Sequence, residues 1–126
     1  TGRPRRCGWL DMVALRYAVR VNGLGGIALT KLDVLTGLPR IKVCTAYEIG
    51  NKRFDILPAR LPEKENMVLH YEELKGWSED ISECRRVEEL PPAARNMVRF
   101  IEEKCGIPIV LIGVGSGREQ TILSGL

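Results

Sequence analysis

Two charged side chains follow a short apolar segment and have the types and spacing of a ligand-recognition element. Lys31 and Asp33 come directly after residues 26–30 (GIALT), a pattern typical of a buried strand covered on both faces. A carboxylate at the end of such a strand can accept two hydrogen bonds side by side, and guanine offers two donors, its N1–H and its 2-amino group. Adenine has no proton on N1, so the carboxylate would be left unpaired. The T-K-x-D spacing therefore favours guanine recognition.

A plainer structural interpretation of the same two residues stays open at this point. Lys31 and Asp33 are also suited to form a surface ion pair or to cap a turn, and four residues make a weak pattern by themselves. The alkyl stem of Lys31 is long enough to lie against a base plane while its ammonium group stays near polar oxygens. Other polar segments must meet the T-K-x-D element for a binding site to form.

A cluster of arginines near the start of the chain is the second candidate. The whole chain has a net charge of +3, and residues 1–20 hold five arginines against one aspartate, which is +4 and leaves −1 for the remainder. Arg3, Arg5 and Arg6 fall within six residues, and a guanidinium fork matches phosphate and carboxylate groups. This distribution indicates a local anion site, with solvated arginines as the alternative.

A glycine-rich segment after a second apolar strand is the third candidate. Residues 107–112 (IPIVLI) are typical of a central strand, and the chain leaves them through residues 113–118 (GVGSGR). This segment lacks the G-x-G-x-x-G frame and is often only a flexible turn, although glycines allow close approach of a nucleotide. In open α/β sheets, ligands bind at the carboxyl ends of the strands, so we expect the three segments to converge beside one sheet.

The elements between these segments predict an α/β fold. Apolar residues at helical spacing predict a helix over residues 11–21, on the face of Val13, Ala14 and Tyr17, with a stop at Asn22 and Gly23. Alternating residues 41–49 and a turn at 50–52 predict a hairpin at the sheet edge, and the acidic run that follows is typical of solvated surface with a strand near residues 68–71. A second helix follows two prolines, its apolar stripe being Ala94, Met97, Val98, Ile101 and Cys105.

Composition sets the remaining bounds. The chain is 44% hydrophobic and 28% charged, which is typical of a folded domain, and it contains no stretch of about 18 apolar residues that could cross a bilayer. A cytoplasmic location is expected. Four scattered cysteines and one histidine predict neither a zinc site nor a disulfide framework, and buried cysteines are expected. A start at Thr1 suggests a processed chain or a fragment.

Six segments of the chain resemble a known enzyme family. TGRPRRCGWLD, ALRYAVRVNGL, LTKLDVLTGL, IKVCTAYE, YEEL-GW and GREQTI follow in the order seen in the C-terminal part of adenylosuccinate synthetase. The resemblance covers essentially the whole chain. It implies a cytoplasmic, homodimeric ligase that uses GTP and Mg²⁺ to join IMP and L-aspartate in purine biosynthesis. The products are adenylosuccinate, GDP and phosphate, and the 6-oxygen of IMP is phosphorylated before the aspartate amino group displaces it.

The resemblance also implies roles for individual residues. Thr1 and Gly2 match the end of a loop that closes on L-aspartate, and Arg3 matches an arginine that contacts IMP and the aspartate carboxylate. Arg5 matches an arginine on the GTP side. The expected guanine contacts are Lys31, Leu32, Asp33, Gly113, Val114 and Gly115.

Some positions depart from the family pattern, and some machinery is absent. Gly113 stands where the family often has serine, and Ser116-Gly117 replaces a common proline-containing turn. The sequence contains no G-x-x-x-x-G-K-[ST] phosphate loop and no Asp/His pair suited to act as base and acid. The family's phosphate loop, catalytic residues and metal ligands match nothing in this chain. We therefore expect no catalytic or metal-binding residue within it, and no activity from it alone.

The expected architecture is the C-terminal part of a mostly parallel, P-loop-NTPase-like sheet with flanking helices and a β-hairpin excursion. Residues 1–40 form the substrate loop, the first helix and the guanine-recognition strand exit. Residues 41–90 form the hairpin and an acidic excursion, and residues 91–126 form a helix, a strand and the glycine loop.

Two other functions fit part of the sequence. A regulatory GTPase segment also contains T-K-x-D, but it would leave the arginines unexplained. A nucleic-acid-binding module built on RPRR is disfavoured by the net charge of only +3 and the lack of aromatic residues among the arginines. We therefore expect small-molecule partners, with neither nucleic acid nor membrane among them.

Overall fold

The computed structural model describes residues 2–60 and 66–124 of the 126-residue chain. The predicted site residue Thr1 lies outside this range. Short 3-10 turns at Leu32–Leu35 and Val87–Glu89 accompany the main elements. In chain order the strands and helices are β1 (Leu10–Asp11), α1 (Met12–Asn22), β2 (Ile27–Leu29), β3 (Arg40–Ile49), β4 (Lys52–Phe54), β5 (Met67–Lys75), α2 (Pro92–Cys105), β6 (Ile109–Gly113) and β7 (Thr121–Leu123).

The strands form two mixed sheets. In the first sheet, β3 pairs with β1 in parallel and with β4 and β5 in antiparallel orientation. In the second, β6 lies between β2, which is parallel to it, and β7, which is antiparallel. These pairings differ from the expected single, mostly parallel sheet. The short turns after β3 and β6 make the next strand run antiparallel to the strand that precedes the turn.

The position of two strands also differs from the sequence interpretation. The hairpin β3–β4 is confirmed, but β3 is the centre of the first sheet and not an excursion at its edge. Conversely, β2 was expected to be covered on both faces, yet it is an edge strand within the described residues and Ala28 is exposed. A short apolar segment cannot distinguish a central from an edge strand, because the number of neighbours is a tertiary property.

Helix α1 forms where predicted, but its predicted apolar face is only partly buried. The carboxylate of Asp11 accepts hydrogen bonds from the backbone N–H groups of Val13 (2.9 Å) and Ala14 (3.2 Å), and Gly23 ends the helix at φ 60°. Met12 and Val13 are buried, whereas Tyr17 is 41% exposed. Val13 belongs to the predicted face and Met12 to a second apolar stripe, so the buried side of α1 takes residues from both stripes.

Helix α2 confirms its prediction and packs its apolar face into the main core. Its buried residues are Ala94, Met97, Val98 and Ile101, and Gly106 ends it at φ 76°. They belong to one apolar core that takes side chains from both sheets. Its members include Met12, Leu32, Ile41, Val43, Leu74, Trp77, Ile81, Leu90, Ile109, Ile112, Val114 and Ile122.

The expectation of buried cysteines has a mixed outcome. All four cysteines are free thiols, and Cys44 is buried as expected, but Cys7 is exposed in the arginine segment, which we define as residues 2–9. Within residues 2–60 and 66–124, no helix has the length and apolar character needed to cross a bilayer.

Candidate functional site

The T-K-x-D residues form a tight turn at the carboxyl end of β2. Lys31 adopts a left-handed conformation (φ 60°, ψ 36°), which no other non-glycine residue shows in the described part of the chain. The 3-10 turn then closes through hydrogen bonds from Val34 N–H to the Lys31 carbonyl (3.3 Å) and from Thr36 N–H to the Asp33 carbonyl (3.1 Å). Leu32 is 1% exposed and anchors the turn in the core, so it can offer a ligand only its backbone.

The side chains of Lys31 and Asp33 do not have the plainer structural roles considered for them. Lys31 is exposed and Asp33 is half-buried. Among the residues that the structure describes, neither side chain enters an ion pair, and Lys31 makes no capping hydrogen bond. Both charged groups are therefore available to a ligand.

The glycine segment lies directly beside this turn. Because β2 and β6 are parallel and Leu29 is in register with Ile112, their carboxyl ends are adjacent. A Cβ atom placed on Gly113 would lie 3.4 Å from the Cα of Thr30 and 3.5 Å from the backbone nitrogen of Lys31. The backbones of the two strand exits are thus in direct contact, as predicted.

The glycine segment itself is an ordered hairpin turn between β6 and β7. Val114 N–H donates to the Gln120 carbonyl (2.9 Å), and Gly117 N–H donates to the side-chain oxygen of Gln120 (2.8 Å). Val114 is fully buried, so its side chain cannot reach a ligand. At Gly115 a Cβ atom would meet the end of the Gln120 side chain, so a larger residue there would require Gln120 to move.

The arginine segment reaches the turn only through its last residues. Gly8 and Trp9 line a cleft of about 270 Å³ together with Thr30, Lys31 and Val34. The predicted site residues Gly2, Arg3 and Arg5 are exposed and do not line this cleft. The structure therefore brings together the T-K-x-D turn, the glycine turn and the end of the arginine segment, but not the arginines themselves.

A hydrogen-bonded pair of side chains, Tyr47 and Asp11, fixes the chain where the arginine segment leads into α1. The hydroxyl of Tyr47 on β3 donates to the Asp11 carboxylate, which also caps α1. Burial, together with the adjacent Asp11 carboxylate, raises the pKa of Tyr47. The same two causes raise the pKa of the Cys44 thiol, so Tyr47 and Cys44 both stay neutral beside Asp11.

Sequence reasoning missed two aromatic side chains near the turn. Trp9 is 41% exposed in the cleft, and Trp77 donates a hydrogen bond from its indole N–H to the hydroxyl of Thr36 (3.0 Å). The only sequence signal was the presence of each tryptophan beside a glycine, in GW pairs. No group of three or more potential metal ligands occurs in the described ranges 2–60 and 66–124.

These features define an α/β protein whose candidate site lies where two adjacent parallel strands end. A family model described as adenylosuccinate synthetase matches residues 1–122, and the chain belongs to the adenylosuccinate synthetase family.

Relatives and a solved structure agree with this assignment. Adenylosuccinate synthetases of Pelobacter propionicus and Carboxydothermus hydrogenoformans are each 55% identical over 123 residues, which cover 98% of this chain and 29% of each relative. A structure of fully ligated adenylosuccinate synthetase from Plasmodium falciparum is 39% identical, with a TM-score of 0.91 over 98% of this chain and 30% of that one. The chain thus spans less than a third of the length of these relatives.

Proposed function

We propose that the protein to which this chain belongs is a GTP-dependent ligase that joins IMP and L-aspartate to give adenylosuccinate, GDP and phosphate. Membership of the adenylosuccinate synthetase family supports this activity and favours it over a regulatory GTPase. The chain contributes guanine recognition and part of the IMP and L-aspartate site. Its three segments, residues 1–40, 41–90 and 91–126, are parts of one larger catalytic unit.

Guanine recognition is assigned to the turn at the end of β2. The observation that supports it most directly is the contact between Gly113 and the Thr30–Lys31 backbone, beside an Asp33 carboxylate that no other side chain neutralises in the described residues. Asp33 accepts the N1–H and 2-amino protons of guanine, and Lys31 lies against the base. Leu32, Gly113, Val114 and Gly115 shape the pocket with backbone atoms.

The arginine segment is assigned to the second substrate pair. Arg3 binds IMP and the aspartate carboxylate, Arg5 faces GTP, and Thr1 and Gly2 end the loop that closes on L-aspartate. The exposure of Arg3 and Arg5 supports this proposal, since exposed guanidinium groups can form bidentate hydrogen bonds with carboxylate or phosphate.

The remaining partners follow from the family. Mg²⁺ accompanies GTP, and its ligands are expected outside this chain, since the described residues offer no cluster of metal ligands. We also propose that β2 and β6 belong to a larger P-loop-NTPase-like sheet whose other strands come from the rest of the enzyme. A cytoplasmic homodimer completes the proposal.

The substitution Asp33→Asn in the full-length enzyme tests guanine recognition. An amide in place of the carboxylate turns a donor toward the 2-amino group of guanine, so kcat/KM for GTP should fall on the order of 10²-fold or more. The same amide can donate to the 2-oxo group of xanthine, so use of XTP should improve. Steady-state kinetics with both nucleotides measure the change.

Asp55→Asn is the matched control, because Asp55 is an exposed aspartate in the loop after β4 and is not one of the proposed site residues. It should leave the GTP to XTP ratio unchanged. Wild-type GTP kinetics in Asp33→Asn would refute the proposed role of Asp33.

A further inference from the structure

We propose that Trp77 is a positioning residue for guanine recognition, which holds the turn that presents Asp33. The inference rests on the proposed function of that turn. Trp77 lies after β5, within the acidic segment that the sequence presents as solvated surface, and it is only 5% exposed. It therefore links a distant part of the chain to the candidate site.

Two consecutive hydrogen bonds connect Trp77 to Asp33. The indole N–H of Trp77 donates to the hydroxyl of Thr36 (3.0 Å), and the backbone N–H of Thr36 donates to the carbonyl of Asp33 (3.1 Å). Thr36 ends the 3-10 turn at Leu32–Leu35. Loss of the indole hydrogen bond would free the end of the turn, and the direction of the Asp33 carboxylate would vary with it.

The backbone next to Trp77 also holds the residues that follow the 3-10 turn. Gly37 N–H donates to the carbonyl of Trp77 (2.8 Å), and Gly76 N–H donates to the carbonyl of Pro39 (3.1 Å). A Cβ atom on Gly76 would lie 1.7 Å from the Leu38 carbonyl oxygen, so a glycine is required for this approach. Two backbone hydrogen bonds thus join residues 37–39 to residues 76–77.

The turn is therefore fixed at both ends. Leu32 at its beginning is buried in the core, and Thr36 at its end is bonded to Trp77, while Asp33 between them stays half-buried and accessible. Preorganisation of this kind matters for recognition, because a carboxylate must meet two donors at once with good geometry. This arrangement distinguishes Trp77 from an aromatic residue that only fills the core.

The substitution Trp77→Phe in the full-length enzyme keeps an aromatic ring in the core but removes the indole N–H together with the second ring, so it is compared with Thr36→Val, which leaves the indole in place. We expect KM for GTP to rise about fivefold, the effect of one lost hydrogen bond, with kcat and the KM values for IMP and L-aspartate unchanged. Thr36→Val removes the acceptor and should give the same selective change. The double variant should be no worse than either single one.

Two further variants separate positioning from simple destabilisation. Thr36→Ser keeps the hydroxyl and should retain the wild-type KM for GTP. Arg16→Lys weakens contacts between α1 and α2, so it should lower Tm without changing KM for GTP. If Thr36→Val leaves KM for GTP unchanged, or raises all three KM values together, the positioning role is wrong. The Asp33→Asn result tests the proposed function independently of this outcome.

Discussion

Lys31 shows how much the site depends on the conformation of one residue. A non-glycine residue in the left-handed region costs about 1 kcal/mol or more, and such strain is retained only where the surroundings determine it. Here the buried Leu32 and the contact with Gly113 determine it. The conformation turns the chain sharply at the end of β2, which places Asp33 beside the strand exit rather than farther along the strand direction.

The arginines give a prediction at the same scale. Arg3→Leu in the full-length enzyme removes a guanidinium group proposed to bind a carboxylate, a type of hydrogen bond worth about 1.5 to 3 kcal/mol. We expect KM for L-aspartate or IMP to rise by about tenfold or more, with KM for GTP nearly unchanged. Steady-state kinetics with each substrate varied in turn measure the effect.

Arg6→Leu is the matched control for Arg3→Leu, because Arg6 is an exposed arginine of the same segment with no proposed role. It should leave all three KM values unchanged. A defect of Arg3→Leu confined to GTP would show that its role was assigned to the wrong substrate.

Among the elements, α1 shows why helix prediction from spacing is incomplete. Its bounds follow from local chemistry, because Asp11 caps its start and Gly23 ends it. Its orientation does not, since Val13, Ala14 and Tyr17 form one apolar stripe while Met12 and Leu15 lie on another. The structure buries Met12 from one stripe and Val13 from the other and packs Leu15 against the core, which leaves Tyr17 exposed.

The contact between β3 and the start of α1 predicts a pH dependence of stability. The phenol of Tyr47 has a raised pKa, whereas an exposed tyrosine in the unfolded chain titrates near pH 10. The folded state therefore keeps a proton that the unfolded state releases, so this contribution to stability is complete below about pH 10 and is lost as the pH rises further. Urea unfolding of the full-length enzyme between about pH 8 and 11 measures it.

Tyr47→Phe should make stability less dependent on pH above about pH 10 than it is in the wild type. Tyr17→Phe is the matched control, because Tyr17 is 41% exposed and does not contribute to the raised pKa of Tyr47, and it should keep the wild-type dependence. Equal slopes for the wild type and Tyr47→Phe would contradict the assignment.

For the whole molecule, Arg16 joins parts of the chain that are far apart in sequence. Its guanidinium donates to the carbonyls of Lys104 at the end of α2 (2.8 Å), Asp55 after β4 (2.6 Å) and Thr45 on β3 (3.4 Å). A fork of several donors suits three carbonyls at once. The cation also interacts favourably with the carboxyl end of the α2 dipole.

Arg16→Lys should lower the free energy of unfolding by about 1 to 2 kcal/mol, because an ammonium group cannot replace all three hydrogen bonds with the same geometry. Thermal or urea unfolding of the full-length enzyme measures the loss. Arg20→Lys, at an exposed position of the same helix, should change stability by no more than about 0.5 kcal/mol. If both variants unfold alike, Arg16 has no linking role.

The sequence by itself determined the elements that local chemistry controls, and it determined the family. Periodicity, capping residues and glycines predict both helices, the hairpin β3–β4, the strand β6 and the turns that follow strands at Lys31 and Gly113. These signals are local, since each depends on residues within one or two turns of a helix or strand. The T-K-x-D chemistry is local as well, because the lysine and the carboxylate lie within four consecutive residues.

Only the tertiary structure decided how those elements meet. It divided the strands between two sheets, made β3 central, chose the buried face of α1 and joined Trp77 to Thr36 across 41 positions. Each of these features depends on which of several acceptable apolar surfaces is buried against which other, and on hydrogen bonds between distant segments. That choice minimises the exposed apolar area of the whole chain, so no short stretch of residues specifies it.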